Sequence, residues 1–441
     1  MNILTLNTEV LGGGANQVAI SLFNSYEEAG HSSRMLNAIY QSKDKRIQII
    51  DNDRFRNPIF RLTQKLLKIS LQKTIPILPK LFSLLLAGSE PIRTLKKING
   101  REDFHQPATR CLTDLVNPRP QVIHAHNLFG GYFDLRQLPR LSRQVPFILT
   151  LHDMWAFTGH CAHPLGCERW KQACGQCPHL DLPPAIPKDG SAANLTVKKR
   201  IYAESRLHLA TPSQWLMDQV NRSILKPGIT NAKVIPNGID QGVFRPGDKA
   251  AARRHLDLPM EAHILLFVAA GNRSNPWKDY ETLDTAVQML SNRLQGQRLI
   301  LLASGQLEKE NPHKNVEVRH IPWLDDKAEL VHYYHASDLY LHAAHAENFP
   351  NVILESLSCG LPVIGTRTGG IPEQIQEGRN GHVVPQRDPE AMAGKAHDLL
   401  CQPETLARFS KNAADQAKST YSLERMVREY LCWFEELLID A

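Results

Sequence analysis

The sequence predicts an α/β protein of two Rossmann-like, doubly wound domains that face a central cleft. Its 441 residues suit two cores of roughly 200 residues each better than one. A strand, a glycine loop and a helix open the chain, and an alternation of strands and helices starts again after residue 245. We therefore place the domains at 1–245 and 246–420, followed by a final helix at 421–441.

The first domain opens with a buried-strand pattern at 1–8, which is followed by Gly12-Gly13-Gly14 and by a helix through Val18 and Tyr26. A strand, a glycine loop and a helix in this order are typical of nucleotide-binding α/β domains. Further strands are predicted at 33–37, 121–126, 146–152, 207–211 and 233–236. Helical stretches between several of them indicate a parallel sheet covered by helices.

The second domain repeats this alternation, with helices at Tyr280–Arg293 and 350–358. Its strands are predicted at 264–269, 298–303, 316–321, 339–343, 362–365 and 382–384. The last stretch places apolar residues at helical spacing from Leu423 to Leu438, so this helix needs a partner surface. We expect it to return and pack on the first domain.

Composition excludes a disordered or fibrous chain, because 42% of the residues are hydrophobic and 22% are charged. The longest apolar runs, such as 81–87, fall short of the roughly 18 residues that span a bilayer. We therefore expect no transmembrane helix and no signal peptide, and a cytoplasmic protein that is peripheral on the inner face of the membrane at most.

One segment carries most of the positive charge. Residues 43–101 hold 14 Lys/Arg against 4 Asp/Glu, a net of +10, so the rest of a chain whose net charge is +6 has a net of −4. A local excess of this kind predicts a local anionic partner and not general affinity for nucleic acid.

A pair of glutamates marks the chemistry of the second half. Glu347 lies in the turn ahead of a predicted helix whose first turn contains Pro350, and Glu355 lies inside that helix. The unsatisfied amides at such a helix start favour an anion or a hydroxyl group. Two carboxylates at this spacing are usually solvent-exposed charge, but here they flank the start of a helix and could both contact one elongated ligand.

The segment 347–360, continued by Pro362-Val363-Ile364 and Gly369-Gly370-Ile371-Pro372-Glu373, resembles the donor site of glycosyltransferase family 4. The resemblance covers most of the chain and implies the GT-B fold of two Rossmann-like domains. Upstream, Gly271-Asn272-Arg273 and Lys278 stand where this family places two cations on the donor diphosphate, although Asp279 follows where the family usually has Gly. The inter-domain junction of the family is matched by Pro236-Asn237-Gly238-Ile239-Asp240.

The resemblance implies transfer of a sugar from a nucleotide-sugar donor to an acceptor hydroxyl with retained configuration, in exopolysaccharide, O-antigen or lipid-linked oligosaccharide assembly. It implies that Glu347 orients the donor sugar and Glu355 the ribose, while Arg273 and Lys278 hold the diphosphate. His152, at the end of the predicted strand 146–152, would contact the sugar from the first domain. No dedicated base and no metal cofactor are then expected for catalysis, because fixed cations neutralise the leaving diphosphate.

Weaker candidates complete the predicted site. They are Gly13, Gly14 and His126 in the first domain and Phe349, Asn351, Val352 and Gly370 in the second. Asp51-Asn52-Asp53 matches the D-x-D metal motif of another glycosyltransferase architecture, but it follows no strand end. Two rival functions stay open, a nucleotide-sugar epimerase of the same fold and a non-catalytic subunit that binds sugar nucleotides or membrane.

Four cysteines crowd into a short segment, namely Cys161, Cys167, Cys174 and Cys177. Four thiolates with a Cys-x-x-Cys pair could hold a structural zinc ion, with His160 and His163 as further ligands. Reduced cysteines in a packed loop and a redox pair are the alternatives.

A basic amphipathic helix is predicted at 59–73. It places Ile59, Leu62, Leu66 and Ile69 on one face and Arg61, Lys65 and Lys68 on another. Together with the apolar run 81–86, this pattern within 59–101 favours an anionic membrane surface as a partner. The alternative is an ordinary helix packed on the first domain. The partners expected overall are a nucleotide-sugar donor and a glycan or lipid-linked acceptor.

Overall fold

A computed structural model describes residues 1–72, 78–269, 275–304, 316–322, 324 and 326–439. The chain forms two compact units. The first contains Met1–Thr211, Met217–Lys233 and the residues from Trp433 onward, and the second contains Pro212–Leu216 and Val234–Cys432. The long segment of the second unit thus begins at Val234, ahead of the predicted start at residue 246.

In the first half of the chain a parallel sheet is surrounded by helices. Its strands are β1 (Asn2–Asn7), β2 (Ser32–Asn37), β3 (Ile47–Ile49), β4 (Val122–Ala125), β5 (Phe147–Thr150), β6 (Leu207–Thr211) and β7 (Ile229–Val234). Its α-helices are α1 (Gly14–Glu28), α2 (Pro58–Gln72), α3 (Leu78–Ser89), α4 (Pro91–Ile98), α5 (Leu138–Gln144), α6 (Ser191–Ala203) and α7 (Gln214–Asn221). Short 3-10 helices lie at Asp53–Phe55, Pro107–Asp114, Leu135–Gln137, Trp155–Phe157, Arg169–Lys171 and Lys226–Gly228.

The described strands of the first sheet lie in the order β3-β2-β1-β4-β5-β6-β7. β1 pairs in parallel with both β2 and β4, so the order reverses direction between β1 and β4. Ligands of doubly wound sheets bind at the carboxyl ends of the strands at such a reversal. The loop after β1 and the residues after β4 and β5 therefore meet at the functional edge.

The second half repeats this design. Its strands are β8 (His263–Phe267), β9 (Leu299–Ser304), β10 (Val316–Ile321), β11 (Leu339–His342), β12 (Val363–Thr366) and β13 (Gly381–Val384). Its helices are α8 (Lys249–His255), α9 (Tyr280–Arg293), α10 (Lys327–Ala336), α11 (Asn351–Ser358), α12 (Ile371–Gln374), α13 (Pro389–Leu400), α14 (Pro403–Thr420) and α15 (Leu423–Ile439). The described strands pair in parallel in the order β10-β9-β8-β11-β12-β13, with the reversal between β8 and β11.

The second sheet is buried on both faces. Along β8, Ile264 and Leu266 belong to one apolar cluster, and Leu265 and Phe267 belong to another. Successive side chains of a strand point to opposite faces, so each cluster fills the space between the sheet and one layer of helices. Continuous apolar runs in the sequence, without polar alternation, follow from this double burial.

The sequence-based assignment of the fold class is confirmed, and its differences from the structure are local. The predicted strand at 233–236 was misplaced, because the strand here is β7 at Ile229–Val234. β3 was not predicted at all, since three residues give too short a pattern to detect. The final helix is present as α15, and its residues up to Cys432 group with the second unit while those from Trp433 onward group with the first. Within the described residues, no helix has both the length and the apolar character needed to cross a membrane.

Candidate functional site

Three loops meet at the carboxyl edge of the second sheet, one after each of β8, β11 and β12. The loop after β8 joins the loop after β11 through a bridge between Lys278 and Ala344. The loop after β12 joins the same segment, because Gly370 N donates to Asn348 O at 2.7 Å. These backbone contacts fix the positions from which the charged side chains extend.

Gly369 and Gly370 are required by this close approach. A Cβ atom on Gly369 would lie 1.8 Å from the carbonyl oxygen of Glu347, and Gly369 has a φ of +55°. A Cβ atom on Gly370 would lie 2.5 Å from the carbonyl oxygen of Asn348. Both distances are far below van der Waals contact, so any side chain here would displace the turn that presents Glu347.

Lys278 and Glu347 form an ion pair at this edge, in which Lys278 Nζ donates to Glu347 Oε1. His342, the last residue of β11, has its Nε2 atom 3.4 Å from the same oxygen. Burial by itself would raise the pKa of Glu347, but the charge of Lys278 and the neighbouring His342 hold it well below its usual range. Glu347 is therefore a carboxylate at neutral pH.

Asp279 explains a departure from the family pattern. Its carboxylate caps α9 by accepting from Thr282 N at 3.0 Å and from Thr282 Oγ1 at 2.7 Å. A capping Asp stabilises the start of a helix by about 1 kcal/mol and fixes the chain that leads into the helix. Here that chain contains Lys278, the residue before Asp279. The predicted partner Arg273 lies outside the described residues.

Glu355 lies on α11 and accepts from the hydroxyl of Tyr334 at 2.7 Å. Burial raises the pKa of Glu355 above its usual value. Burial, with smaller contributions from the charges of Glu355 and Glu347, raises the pKa of Tyr340. Its hydroxyl lies 3.3 Å from Nδ1 of His342, the histidine beside Glu347.

The other predicted residues of this site pack within the second unit. Phe349 is buried and meets the ring of Tyr421 edge-on, with centroids 6.1 Å apart. Val352 is partly buried against the same apolar cluster, and Asn351 Oδ1 accepts from Asn237 Nδ2 at 2.9 Å. These contacts hold the turn between Glu347 and α11, and a direct role in donor binding stays a prediction.

Two histidines lie together at the carboxyl edge of the first sheet. His126 follows β4, His152 follows β5, and His126 Nδ1 lies 3.0 Å from His152 Nε2 with the rings stacked. Burial lowers the pKa of His152 to about 4 and that of His126 well below its usual value. Both rings are therefore neutral at pH 7, which suits hydrogen bonding to a sugar hydroxyl better than proton transfer.

The glycine loop lies at the same edge. Gly13 precedes the first residue of α1, Gly14, and a Cβ atom on Gly13 would have no neighbour closer than 3.9 Å. Asn7, at the end of β1, donates to Asn16 Oδ1 at 3.0 Å and accepts from Asn127 N at 3.3 Å. This buried amide, which sequence reasoning missed, joins the loop to the end of β4.

A second missed group lies behind His152. Lys198 is completely buried, and its ammonium donates to Glu102 Oε1 and to Trp155 O, both at 2.8 Å. Burial also raises the pKa of Asp153 to about 6. A lysine in a helix is normally exposed, so only the tertiary structure shows that Lys198 holds the loop after β5 in place.

The first unit also contains a cavity of about 730 Å³ at the ends of β2 and β3. Asp51, Asp53, Lys68 and Arg93 contribute charged side chains to its lining. Asn52 is structural, because it donates to Tyr132 O at 2.9 Å and accepts from Ala108 N at 3.0 Å. The cavity is large enough for part of a sugar or phosphate group.

The four cysteines are free thiols in the loop after β5. His160 Nε2 lies 3.3 Å from Cys177 Sγ, and burial raises the pKa of Cys161 to about 12 and that of Cys174 to about 11. No three ligand atoms of this cluster lie within 4.8 Å of one another, on a search of the described residues. This arrangement does not fit a closed tetrahedral zinc site, and the zinc ion stays a prediction.

Comparison with known proteins identifies the family to which these two edges belong. Residues 12–242, more than half of the chain, match Glycosyltransferase Family 4. The chain belongs to this family. Residues 248–416 match Glycosyl transferases group 1, so the two matches together cover every strand described above except β1.

Named relatives agree with this assignment. The protein WcaC of Escherichia coli (strain K12), whose name refers to glycosyl transfer in colanic acid biosynthesis, is 26% identical over 335 residues, which are 72% of this chain and 77% of that protein. A D-inositol 3-phosphate glycosyltransferase of Thermobispora bispora is 28% identical over 68% of this chain and 67% of its own length.

Solved structures show the same fold. Sucrose-phosphate synthase from Thermosynechococcus elongatus superposes with a TM-score of 0.66 at 18% identity over 100% of both chains. Anabaena HepE, solved in complex with UDP and glucose, gives a TM-score of 0.62 at 16% identity over 99% of both chains. The GT-B fold and the activity of a glycosyltransferase predicted from the sequence are confirmed. None of these findings favours the epimerase or the non-catalytic subunit.

Proposed function

We propose that this glycosyltransferase moves a sugar, with retention of configuration, from a nucleoside diphosphate donor to a hydroxyl of a bacterial polysaccharide or lipid-linked glycan. The meeting of Lys278 and Glu347 at the carboxyl edge of the second sheet is the observation on which the proposal rests. The name of the WcaC relative supports the polysaccharide context, and the UDP and glucose complex of HepE makes UDP-sugars the first donors to test.

In this proposal the ion pair rearranges when the donor binds. Lys278 turns from Glu347 to the diphosphate and, with Arg273, offsets the charge that develops on the leaving group. Glu347, released from Lys278, accepts hydrogen bonds from sugar hydroxyls beside His342. Glu355, held by Tyr334, accepts from the ribose. The fixed cations supply the electrostatic stabilisation, so the transfer needs no metal ion.

The first unit supplies the acceptor side in this proposal. His126 and His152 are neutral and can donate to or accept from sugar hydroxyls. The cavity, whose lining includes Asp51 and Asp53 as well as Lys68 and Arg93, would receive a polar part of the acceptor. Neither histidine acts as a general base, because burial keeps each ring from accepting a proton at neutral pH.

We also propose that α2, α3 and α4 bind an anionic membrane surface that presents the acceptor. Ile59, Leu62 and Leu84 are 68%, 61% and 70% exposed, so the apolar face predicted for the first of these helices is not buried against the first unit. Eleven large apolar residues are exposed here, namely Ile59, Leu62, Leu66, Ile69, Leu71, Leu81, Leu84, Leu85, Ile92, Leu95 and Ile98. Exposed apolar side chains beside Lys and Arg are typical of helices that lie in a membrane interface.

The donor proposal is tested by a thermal-unfolding screen of nucleoside diphosphates, followed by transfer assays with the sugar nucleotides of the best base. We expect Lys278→Ala to weaken diphosphate binding by about 10-fold or more, because a charge-assisted contact contributes about 1.5–3 kcal/mol. Glu347→Gln should reduce turnover by about 100-fold while the nucleoside diphosphate still binds.

The matched controls are Lys249→Ala, which removes an exposed pair with Asp338, and Glu377→Gln, which removes a carboxylate bonded to His382. Both should keep donor affinity and turnover close to the unsubstituted protein. Equal losses in Lys278→Ala and Lys249→Ala would show that Lys278 has no special role, and full turnover in Glu347→Gln would contradict the enzyme site.

A further inference from the structure

A group of metal-ligand residues lies on two helices of the second unit, outside the donor site. His255 is the last residue of α8. Glu329 and His332 lie three residues apart on α10, so they share one face of that helix. The pattern Glu-x-x-His on one helix is a known way to present two ligands to one ion.

The three side chains converge. His255 Nε2 lies 3.1 Å from both carboxylate oxygens of Glu329. The rings of His255 and His332 have centroids 4.3 Å apart. One ligand atom from each of the three residues can be chosen so that all lie within 4.8 Å of one another, and this is the only such group among the described residues.

We propose that His255, Glu329 and His332 bind one divalent transition-metal ion of the zinc class, and that this ion fastens α8 to α10. Two imidazoles and one carboxylate are the ligand set that such ions favour. Two ligands of a tetrahedral zinc ion lie about 3.4 Å apart when each bond is about 2.1 Å. The separations of 3.1 Å between His255 and Glu329 need only small side-chain movements to meet this geometry.

An ion pair alone accounts poorly for this arrangement. His255 and Glu329 are 49% and 37% exposed, and an exposed pair contributes about 0–1 kcal/mol. The pair also leaves out the second imidazole, His332, whose ring lies beside that of His255. A metal ion uses all three groups, and their exposure leaves its fourth position to water. The site would therefore exchange its ion with solvent.

The ion would lie between α8 and α10. These two helices are also joined by Arg253, which donates to Ala336 O at 3.0 Å and pairs with Asp338 at 2.9 Å. Tyr334, which holds Glu355, lies two residues after His332 on α10. The ion would thus stiffen the helix that positions one of the proposed donor-site carboxylates, although its binding does not depend on the proposed reaction.

The test uses the full chain without a histidine tag, stripped of metal with a chelator. Zn²⁺ is titrated by equilibrium dialysis, and thermal unfolding is followed with and without the ion. We expect His255→Ala and His332→Ala to bind one equivalent of Zn²⁺ less than the unsubstituted protein. At free Zn²⁺ about 100-fold above Kd, the unsubstituted protein should gain about 5 °C or more in its unfolding midpoint, and the variants should lose this gain.

His263→Ala is the control, because His263 is a partly exposed histidine of the same unit that contacts Gln297 and lies outside the group. The cysteines are present in every variant, so any Zn²⁺ that they bind cancels when the Zn²⁺ stoichiometries of the variants are compared. Glu329→Gln checks the result with a smaller change, and unfolding in the chelator shows that each variant folds. Equal Zn²⁺ stoichiometry in His255→Ala, His332→Ala and His263→Ala would overturn the proposal, as would the absence of any Zn²⁺ binding.

Discussion

At the scale of single residues, backbone geometry constrains the donor site as strongly as charge does. Gly369 combines a positive φ with a contact in which an added Cβ would strike Glu347 O. Gly378 also has a positive φ, of +71°, but an added Cβ there meets nothing within 4 Å. Substituting each glycine by alanine therefore distinguishes the free energy of a strained backbone from that of a steric clash.

We predict that Gly369→Ala destabilises the second unit by more than about 2 kcal/mol, because the turn at Glu347 must move. Gly378→Ala should cost only about 1 kcal/mol, the usual penalty for a side chain in the left-handed region. Urea unfolding measures both changes, and nucleoside diphosphate binding should weaken in Gly369→Ala alone. Equal stability of the two variants would mean that the loops after β11 and β12 do not approach as closely as described.

A pH dependence is expected from His124, which is fully buried between Tyr26 and Thr150. Burial lowers its pKa to about 3, whereas an unfolded chain has the ordinary value of about 6.5. The unfolded state therefore binds the proton first as the pH falls below 6.5, and stability is lost from there down to about pH 3. At pH 5 this histidine alone accounts for about 2 kcal/mol of the loss.

His124→Gln removes the titrating group and keeps polar atoms for the two hydroxyls. The free energy of unfolding of this variant, relative to that of the unsubstituted protein, should rise by about 2 kcal/mol when the pH is lowered from 7 to 5. Urea unfolding at each pH measures this change. Stability differences that are the same at both pH values would mean that folding does not lower the pKa of this ring.

At the scale of elements, the strand ends could be predicted from the sequence and the supporting contacts could not. Glu347, Lys278 and His152 follow apolar runs, and parallel strands bring such positions to one edge. His342 was missed although it ends a buried strand, which is the same signal that singled out His126 and His152. Lys198 and Asn7 were missed because their roles depend on partners distant in sequence. Arg273 stays a prediction from the family pattern alone.

The helices α2, α3 and α4 also show what the sequence alone could not predict. The apolar face of α2 was visible in the sequence, but periodicity cannot tell whether such a face meets protein or membrane. Its exposure of more than a third at Ile59, Leu62, Leu66 and Ile69 shows that this face does not pack on the first unit. The basic residues beside them are the reason for proposing an anionic membrane surface as its partner.

We predict that Lys65→Glu with Lys96→Glu weakens binding to anionic vesicles by more than about 30-fold. Loss of two basic residues, each of which contributes about 1 kcal/mol near such a surface, already gives that factor, and the two new carboxylates add repulsion. The control Lys411→Glu with Lys418→Glu changes the net charge equally on α14 and should bind as before. Co-sedimentation with vesicles of rising anionic lipid content measures the affinity. Binding that changes neither with lipid charge nor with salt concentration would contradict the prediction.

At the scale of the whole molecule, the last helix completes a core that begins at the other end of the chain. Trp433 and Phe434 are completely buried. The ring of Phe434 lies 5.6 Å from Tyr26 and 5.5 Å from His124, centroid to centroid. The first unit therefore includes residues from both ends of the sequence, while α15 begins among the residues of the second unit.

We predict that a chain ending at Cys432 unfolds its first unit at a lower temperature, because removing one buried aromatic side chain already costs about 3–5 kcal/mol. Nucleoside diphosphate binding should persist, since Lys278, Glu347 and Glu355 belong to the second unit. A chain ending at Leu438 is the control, because Ile439 is 85% exposed. Thermal unfolding and nucleotide binding are measured on all three chains. If ending the chain at Cys432 left the unfolding midpoint unchanged, the contacts of Phe434 with Tyr26 and His124 would not contribute to the core of the first unit.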